Sequence, residues 1–390
     1  MEKIFLGSIL HMTKGKKPKA QATQQDVDFL PYVDIKAFEK HIVDNYASPE
    51  KCLLCKEGDV LIVCDGARSG LVGRAMTGVV GSTLALISAD GCSNDYLFYF
   101  LRSLYTLLNT KQKGTGTPHL NPDILKKAQL VVPSLPEQER IVAKIEELFS
   151  QLDAAVAELK SVKEKLAIYR QAVLKEAFDI ALKFTEKTMA IEDFLTTERK
   201  GMATGPFGTM LKKHEHKLSG VPMLGIENIG KGKFVDGNKI FVTPEKAKEL
   251  KSFALETDDI IISRSGTVGE ICAVPARMRG ALLSTNLMRV SLNPKKVLSE
   301  YFIYMFQSKG VVLDQVKELC KGSTRIFLNQ TILKSIKFPI PSIPKQKQII
   351  DQIESQISIC NNIEQTVDTA LQQATALRQS ILKQAFEGNL

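Results

Sequence analysis

The chain has 390 residues, 44% of them hydrophobic and 24% charged, and a formal net charge of +9. That length exceeds a single hydrophobic core and calls for two or more domains. No apolar run reaches the ~18 residues of a membrane span, and the start, Met1-Glu2-Lys3-Ile4-Phe5-Leu6, lacks the apolar centre of a secretory signal, so a cytoplasmic protein without membrane contact is expected. Seven cysteines without regular spacing suit a reducing compartment in which thiols stay free.

Residues 1–134 read as a mixed segment. Short β-rich runs such as Val60-Leu61-Ile62-Val63 alternate with Gly and Pro punctuation, and one aromatic stretch, Tyr96-Leu97-Phe98-Tyr99-Phe100-Leu101, has helical character. From Glu137 the period changes. Ile141, Ile145, Leu148, Leu152, Ala155, Leu159, Val162, Leu166, Tyr169 and Val173 alternate spacings of four and three, the seam of a coiled coil. With no Pro or Gly between Glu137 and Phe184, residues 135–187 predict a helix about 45 residues and about 65 Å long.

Residues 188–341 form a second mixed segment, with Ile260-Ile261-Ile262 as a strand and Tyr301-Phe302-Ile303-Tyr304-Met305-Phe306 as its aromatic helix. Residues 342–390 predict a second long helix. Its weaker seam runs Ile349, Ile353, Gln356, Cys360, Ile363, Val367, Ala370, Ala374, Leu377 and Ile381.

These four segments are one unit written twice. Pro133-Ser134-Leu135-Pro136-Glu137-Gln138 recurs as Pro341-Ser342-Ile343-Pro344-Lys345-Gln346, an offset of 208 residues. Arg170-Gln171-Ala172-Val173-Leu174-Lys175 recurs as Arg378-Gln379-Ser380-Ile381-Leu382-Lys383 at the same offset, and Leu120-Asn121 matches Leu328-Asn329. The expected fold is α+β: two similar domains at opposite ends of an antiparallel two-helix coiled coil, related by an internal pseudo-two-fold. Charge divides along the same lines. Residues 1–134 carry 16 basic against 13 acidic side chains and 188–341 carry 23 against 15, whereas 135–187 and 342–390 each come to −1. Basic domains on a near-neutral helical frame are the footprint of a polyanion-binding protein.

No catalytic constellation stands out. Gly78-Val79-Val80-Gly81-Ser82-Thr83 and Gly201-Met202-Ala203-Thr204-Gly205 lack the lysine and spacing of a phosphate-cradling loop. Cys52-Leu53-Leu54-Cys55 has no second close pair and reads as buried thiols, and His214-Glu215-His216 as a solvated basic loop, so no metal is expected. Binding chemistry remains. Lys14, Lys16 and Lys17 form a basic Gly/Pro loop suited to phosphates. Arg264 and Ser265 follow a strand, where Arg is suited to a guanine edge. Lys113, and Lys321 with Arg325, lie in hydroxyl-rich loops present in both copies. Arg68, Lys212 and Lys213 complete the candidate DNA-binding set, with lysines expected on phosphates and arginines more at bases.

Gly205-Pro206-Phe207-Gly208-Thr209-Met210-Leu211-Lys212, Ile262-Ser263-Arg264-Ser265-Gly266-Thr267-Val268-Gly269, Gly322-Ser323-Thr324 with Leu328-Asn329-Gln330, and the doubled Pro-Ser-Leu/Ile-Pro-x-Gln stretch resemble the specificity subunit of type I restriction-modification systems. The resemblance implies two target-recognition domains (1–134 and 188–341), each reading half of a split double-stranded DNA site, and two conserved helices (135–187 and 342–390) that pair antiparallel. It further implies docking of two methyltransferase subunits and of restriction/translocase subunits. The chain would be non-catalytic and without a cofactor of its own; S-adenosylmethionine, ATP and magnesium would sit on the partner subunits. The alternatives are a fused or divergent DNA-modifying enzyme and a coiled-coil scaffold. The first copy departs from the pattern: it has no Gly-Pro-Phe-Gly opening, and Asp65-Gly66-Ala67-Arg68-Ser69-Gly70 stands where the second copy has Ser263 to Gly266.

Overall fold

The computed structural model describes residues 2–113, 118–185, 187–207, 210–319 and 327–389. The chain forms two compact units, one of residues 1–160 with 368–390, the other of residues 161–367. Each is an α+β body with the same central sheet.

In the first unit the sheet is four-stranded and antiparallel, in the order Leu10–Lys14, Leu84–Ala89, Val60–Val63, Val72–Arg74. In the second the order is Met202–Thr204, Leu287–Val290, Ile260–Ser263, Ile271–Ala273. Val60–Val63 and Ile260–Ser263 are buried at every position, as continuous apolar runs at a sheet centre must be. A second sheet, five-stranded in the first unit and three-stranded in the second, flanks each one. It contains a parallel pair, Leu30–Val33 with Gly78–Val80 in the first unit and Val221–Leu224 with Leu282–Leu283 in the second.

The aromatic stretches are helices, Asn94–Ser103 and Ser299–Gln307. The first is capped by Ser93, whose side chain accepts from the Tyr96 N–H, one of the donors a helix start leaves unpaired. Tyr96 donates its hydroxyl to the Val131 carbonyl (2.9 Å), and Tyr301 does the same to Pro339 (2.8 Å), so each buried ring has its polar tip satisfied.

The long helices run Leu135–Lys183 and Ile343–Glu387. Pro136 and Pro344 fall in their first turns, where a missing N–H costs nothing. The two helices are antiparallel within each unit. In the second, Lys345 Nζ lies 3.9 Å from the Phe184 ring centre, while Arg170 pairs with Glu364 at 2.7 Å, so numbers fall on one helix as they rise on the other. In the first, Asp153 pairs with Arg378, whose guanidinium stacks 4.5 Å over Phe149.

Most of the expected seam faces inward, but Ala155, Tyr169, Ile363 and Leu377 are exposed. A 3.6-residue helix drifts about 20° per heptad against a 3.5-residue repeat, so a seam drawn by strict heptads leaves the shared face. Tyr169 turns its hydroxyl to Gln356 Oε1 (2.9 Å) instead. Toward the helix ends the buried stripe widens. Val142, Ile145 and Phe149 enter the first core with Ile381, Leu382 and Ala385; Leu174, Ala177, Phe178 and Ala181 enter the second with Ile349, Ile350 and Ile353. Each unit is therefore built from the start of one long helix and the end of the other. Among the described residues, no helix is long and apolar enough to cross a membrane.

Candidate nucleic-acid interface

At one end of each central sheet four backbone segments converge, held by matching hydrogen bonds. In the first unit Gly15 N–H donates to Leu84 O (2.9 Å), Cys64 N–H to Thr83 O (2.8 Å) and Leu120 N–H to Cys64 O (2.8 Å). In the second, Gly205 N–H donates to Leu287 O (3.4 Å), Arg264 N–H to Asn286 O (2.9 Å) and Leu328 N–H to Arg264 O (3.0 Å). Gly15 therefore corresponds to Gly205, Cys64 to Arg264 and Leu120 to Leu328. Both glycines are required by close approach, since a Cβ would lie 2.4 Å from the Gly81 carbonyl oxygen in one case and 2.1 Å from that of Ser284 in the other.

On this shared backbone the side chains differ. In the first unit Lys14 Nζ donates to Asp65 Oδ2 (2.7 Å) and His119 Nδ1 donates to Asp65 Oδ1 (2.8 Å). Burial pushes the Asp65 carboxyl up, but the Lys14 and His119 hydrogen bonds outweigh it and hold the group below the usual carboxylate range. Lys16 and Lys17, just beyond Gly15, are exposed and make no ion pair among the described residues. Lys113 pairs with Asp123 (2.7 Å) beside the Lys113–His119 bridge, and Arg68 pairs with Glu39.

In the second unit the corresponding place is occupied by Arg264, expected from sequence to reach a base. Its side chain is instead almost wholly enclosed, at 4% exposure. Nε donates to Leu328 O (3.2 Å) and Nη1 to Thr285 O (3.3 Å), while Phe327 and Phe207 stack on the guanidinium at 4.5 and 5.4 Å. Burial pushes this guanidinium down from its ordinary value. Two hydrogen bonds from a planar fork, flanked by two rings, tie three loops together, a task Arg suits because its charge is weakly hydrated and its geometry fixed. Nothing in the local sequence says that two phenylalanines, 57 and 63 residues away, will close over Arg264.

Ser265 Oγ donates to Asn286 Oδ1 (3.2 Å) at the rim. Lys212 and Lys213 are exposed beside the turn Lys213–Glu215, whose Glu215 pairs with Lys246 (2.8 Å). Lys321 and Arg325 lie outside the described residues. Of the expected buried thiols Cys55 is buried but Cys52 only half so; burial pushes Cys55, and likewise Cys64, up to about 11.

The doubled fold agrees with comparison to known proteins. The model of the type I restriction modification DNA specificity domain matches residues 1–164 and again 192–373. The chain belongs to that family. Each matched stretch of the specificity domain falls on one copy of the repeat. The chain is 24% identical over 367 residues to the type I restriction enzyme MjaVIII specificity subunit of Methanocaldococcus jannaschii, covering 91% of this chain and 85% of that one. It is also 24% identical to the EcoBI specificity subunit of Escherichia coli, covering 100% and 86%. Among solved structures, a chain of a type I R-M system superposes with TM-score 0.71 at 17% identity, covering 100% of this chain and 98% of that one. The HsdS subunit from Thermoanaerobacter tengcongensis gives 0.55 at 17% identity, covering 100% and 97%.

Sequence reasoning missed Asp65, His119, Phe207, Thr285, Asn286 and Phe327 as members of these clusters. Leu120-Asn121 and Leu328-Asn329 share the 208-residue offset, which places the residues just before them, His119 and Phe327, at equivalent positions; that signal was available.

Proposed function

We propose that this chain is the non-catalytic DNA sequence-specificity subunit of a type I restriction-modification complex. The observation that carries the reading is the pair of equivalent loop clusters, identical in backbone pairing and different in side chains, on one repeated frame. Two such clusters suit a bipartite site in double-stranded DNA whose halves differ in sequence. In the first unit Lys16 and Lys17 take phosphates, while Lys14, Lys113 and Arg68, ion-paired to Asp65, Asp123 and Glu39, are further DNA-binding candidates. In the second, Lys212 and Lys213 contact phosphates and Ser265 with Asn286 offers hydrogen-bonding groups at the rim, while Arg264 acts as a positioning residue. Family membership supports the wider assembly: two methyltransferase subunits docked on the paired helices, and restriction/translocase subunits joining them in the cytoplasm. S-adenosylmethionine, ATP and magnesium belong to those partners, and the paired helices set the spacer between half-sites.

The test is to map methylated bases across the host genome with and without the gene. Loss of one split motif on deletion is expected; an unchanged methylation pattern would overturn the reading. In the purified complex, Lys16→Ala with Lys17→Ala should weaken binding uniformly across DNA sequences and lower the salt slope by about 1 per lysine.

A further inference from the structure

The first unit's cluster contains a group that phosphate binding leaves unused. His119 is half exposed, with a side-chain exposure of 52%, while the Asp65 that holds it is at 20%. Its backbone is pinned on both sides: Lys113 N–H donates to His119 O (2.9 Å), His119 N–H to Lys113 O (2.8 Å), and Leu120 N–H to Cys64 O (2.8 Å). Its ring is pinned as well, because Asp65 accepts from Nδ1 while Lys14 holds the other carboxylate oxygen. The remaining nitrogen, Nε2, has no partner among the described residues.

We propose that His119 determines specificity in the first unit by hydrogen-bonding a DNA base edge through Nε2, with Asp65 and Lys14 as positioning residues. This rests on the DNA-recognition reading above. A carboxylate only accepts, so Nδ1 carries the proton, and in the neutral tautomer this leaves Nε2 as an acceptor. In the major groove an acceptor is matched by the exocyclic amino group of adenine N6 or cytosine N4, and is refused by the O4 of thymine and the O6 and N7 of guanine. Reading demands a side chain whose direction is settled before DNA arrives. His119 is settled by a strand bridge on its backbone and a partly buried carboxylate on its ring, whereas the neighbouring Lys16 and Lys17 have neither constraint. The equivalent position in the second unit is Phe327, which stacks on Arg264 and has no hydrogen-bonding edge. The two copies thus differ in chemistry at one fixed point of one backbone, which is what two unlike half-sites require. The alternative is an ordinary surface ion pair, indifferent to DNA sequence.

The experiment uses the full chain assembled with its methyltransferase in a host lacking the native gene, read by genome-wide mapping of methylated bases. His119→Ala is expected to relax one position of one half-site, an adenine or cytosine on the contacted strand, by about tenfold or more, with the other half-site unchanged. Asp65→Asn should relax the same position, an effect a purely structural role would not produce. His119→Gln, which keeps an acceptor, should retain part of the preference and serves if His119→Ala melts below wild type. An unaltered motif in His119→Ala and His119→Gln at wild-type melting temperature would overturn the proposal. So would a uniform loss of methylation with every base preference intact, the mark of a phosphate contact. A wild-type complex that methylates no split motif would overturn the DNA-recognition reading itself, and His119's role with it.

Discussion

Gln138 and Gln346, 208 residues apart, are both fully buried and make the same three hydrogen bonds. Gln138 Nε2 donates to Gly91 O (2.7 Å) and Pro133 O (2.9 Å), and its Oε1 accepts from Ser93 N–H (2.8 Å). Gln346 Nε2 donates to Lys296 O (2.8 Å) and Pro341 O (2.8 Å), and its Oε1 accepts from Leu298 N–H (2.9 Å). One amide thus ties the start of each long helix to the start of the aromatic helix in the same unit. It explains why the Pro-Ser-x-Pro-x-Gln stretch is written twice. Gln138→Ala or Gln346→Ala leaves two carbonyls and an N–H unpaired in the interior, and is expected to lower stability by about 2–4 kcal/mol. Chemical denaturation of the two single variants checks it; a loss below about 0.5 kcal/mol would refute the tie.

The ends of the long helices are exchanged between the copies, and this has a local consequence. Phe386 packs edge-on against Tyr96 (5.1 Å) and Phe100 (5.3 Å) in the first unit, and Phe178 against Tyr301 (5.3 Å) in the second. Removing residues 368–390 should therefore loosen helix Asn94–Ser103 while leaving helix Ser299–Gln307 protected, although both segments lie far from the truncation in sequence. Amide hydrogen exchange on the truncated chain distinguishes the two helices; equal protection in both would contradict the exchange. Phe178→Ala should act on the other side, costing the second unit about 3–5 kcal/mol.

Arg264 is enclosed where three loops meet, bonded to the Leu328 and Thr285 carbonyls and flanked by Phe207 and Phe327. Arg264→Ala should reduce stability by about 1–3 kcal/mol, because the Leu328 and Thr285 carbonyls lose their donors. Arg264→Lys keeps the charge but not the fork, and should recover little of that loss. Neither change should alter the slope of DNA affinity against salt, since no phosphate contact is removed. A slope lowered by about 1 in Arg264→Ala would put the guanidinium on a phosphate after all.

Asp65 makes the first unit sensitive to acid. Its folded carboxyl titrates below the usual range, burial being outweighed by the Lys14 and His119 hydrogen bonds. Such a group adds stability at pH above its unfolded value, about 3.9, and that stability is lost as pH falls through this value toward the lower folded one. Asp65→Asn removes the dependence. The melting temperature of wild type should exceed that of Asp65→Asn near pH 7, and the gap should close below about pH 4. A gap that stays constant from pH 7 to pH 3 would show that Asp65 does not titrate with folding.

The repeat, the long helices and the strands Val60–Val63 and Ile260–Ser263 were legible in the sequence because each rests on local or periodic information. Buried central strands are continuous apolar runs, helices keep their period, and a duplicated unit repeats at a fixed offset. The composition of the two loop clusters was only partly legible. Lys16, Lys17, Lys212 and Lys213 could be picked out as exposed, since charge without a partner goes to the surface. The fate of Arg264 could not. Whether an arginine faces solvent or is enclosed depends on which rings and carbonyls the fold brings to it, and Phe207, Thr285 and Phe327 come from three separate loops. The same holds for His119, an unremarked residue until Asp65 and Lys14 meet it across strand ends. The sequence by itself determined the duplicated frame and where its charge lies. Tertiary structure alone decided which helix end completes which unit and which polar side chains face out, because those outcomes are set by contacts between residues distant in the chain.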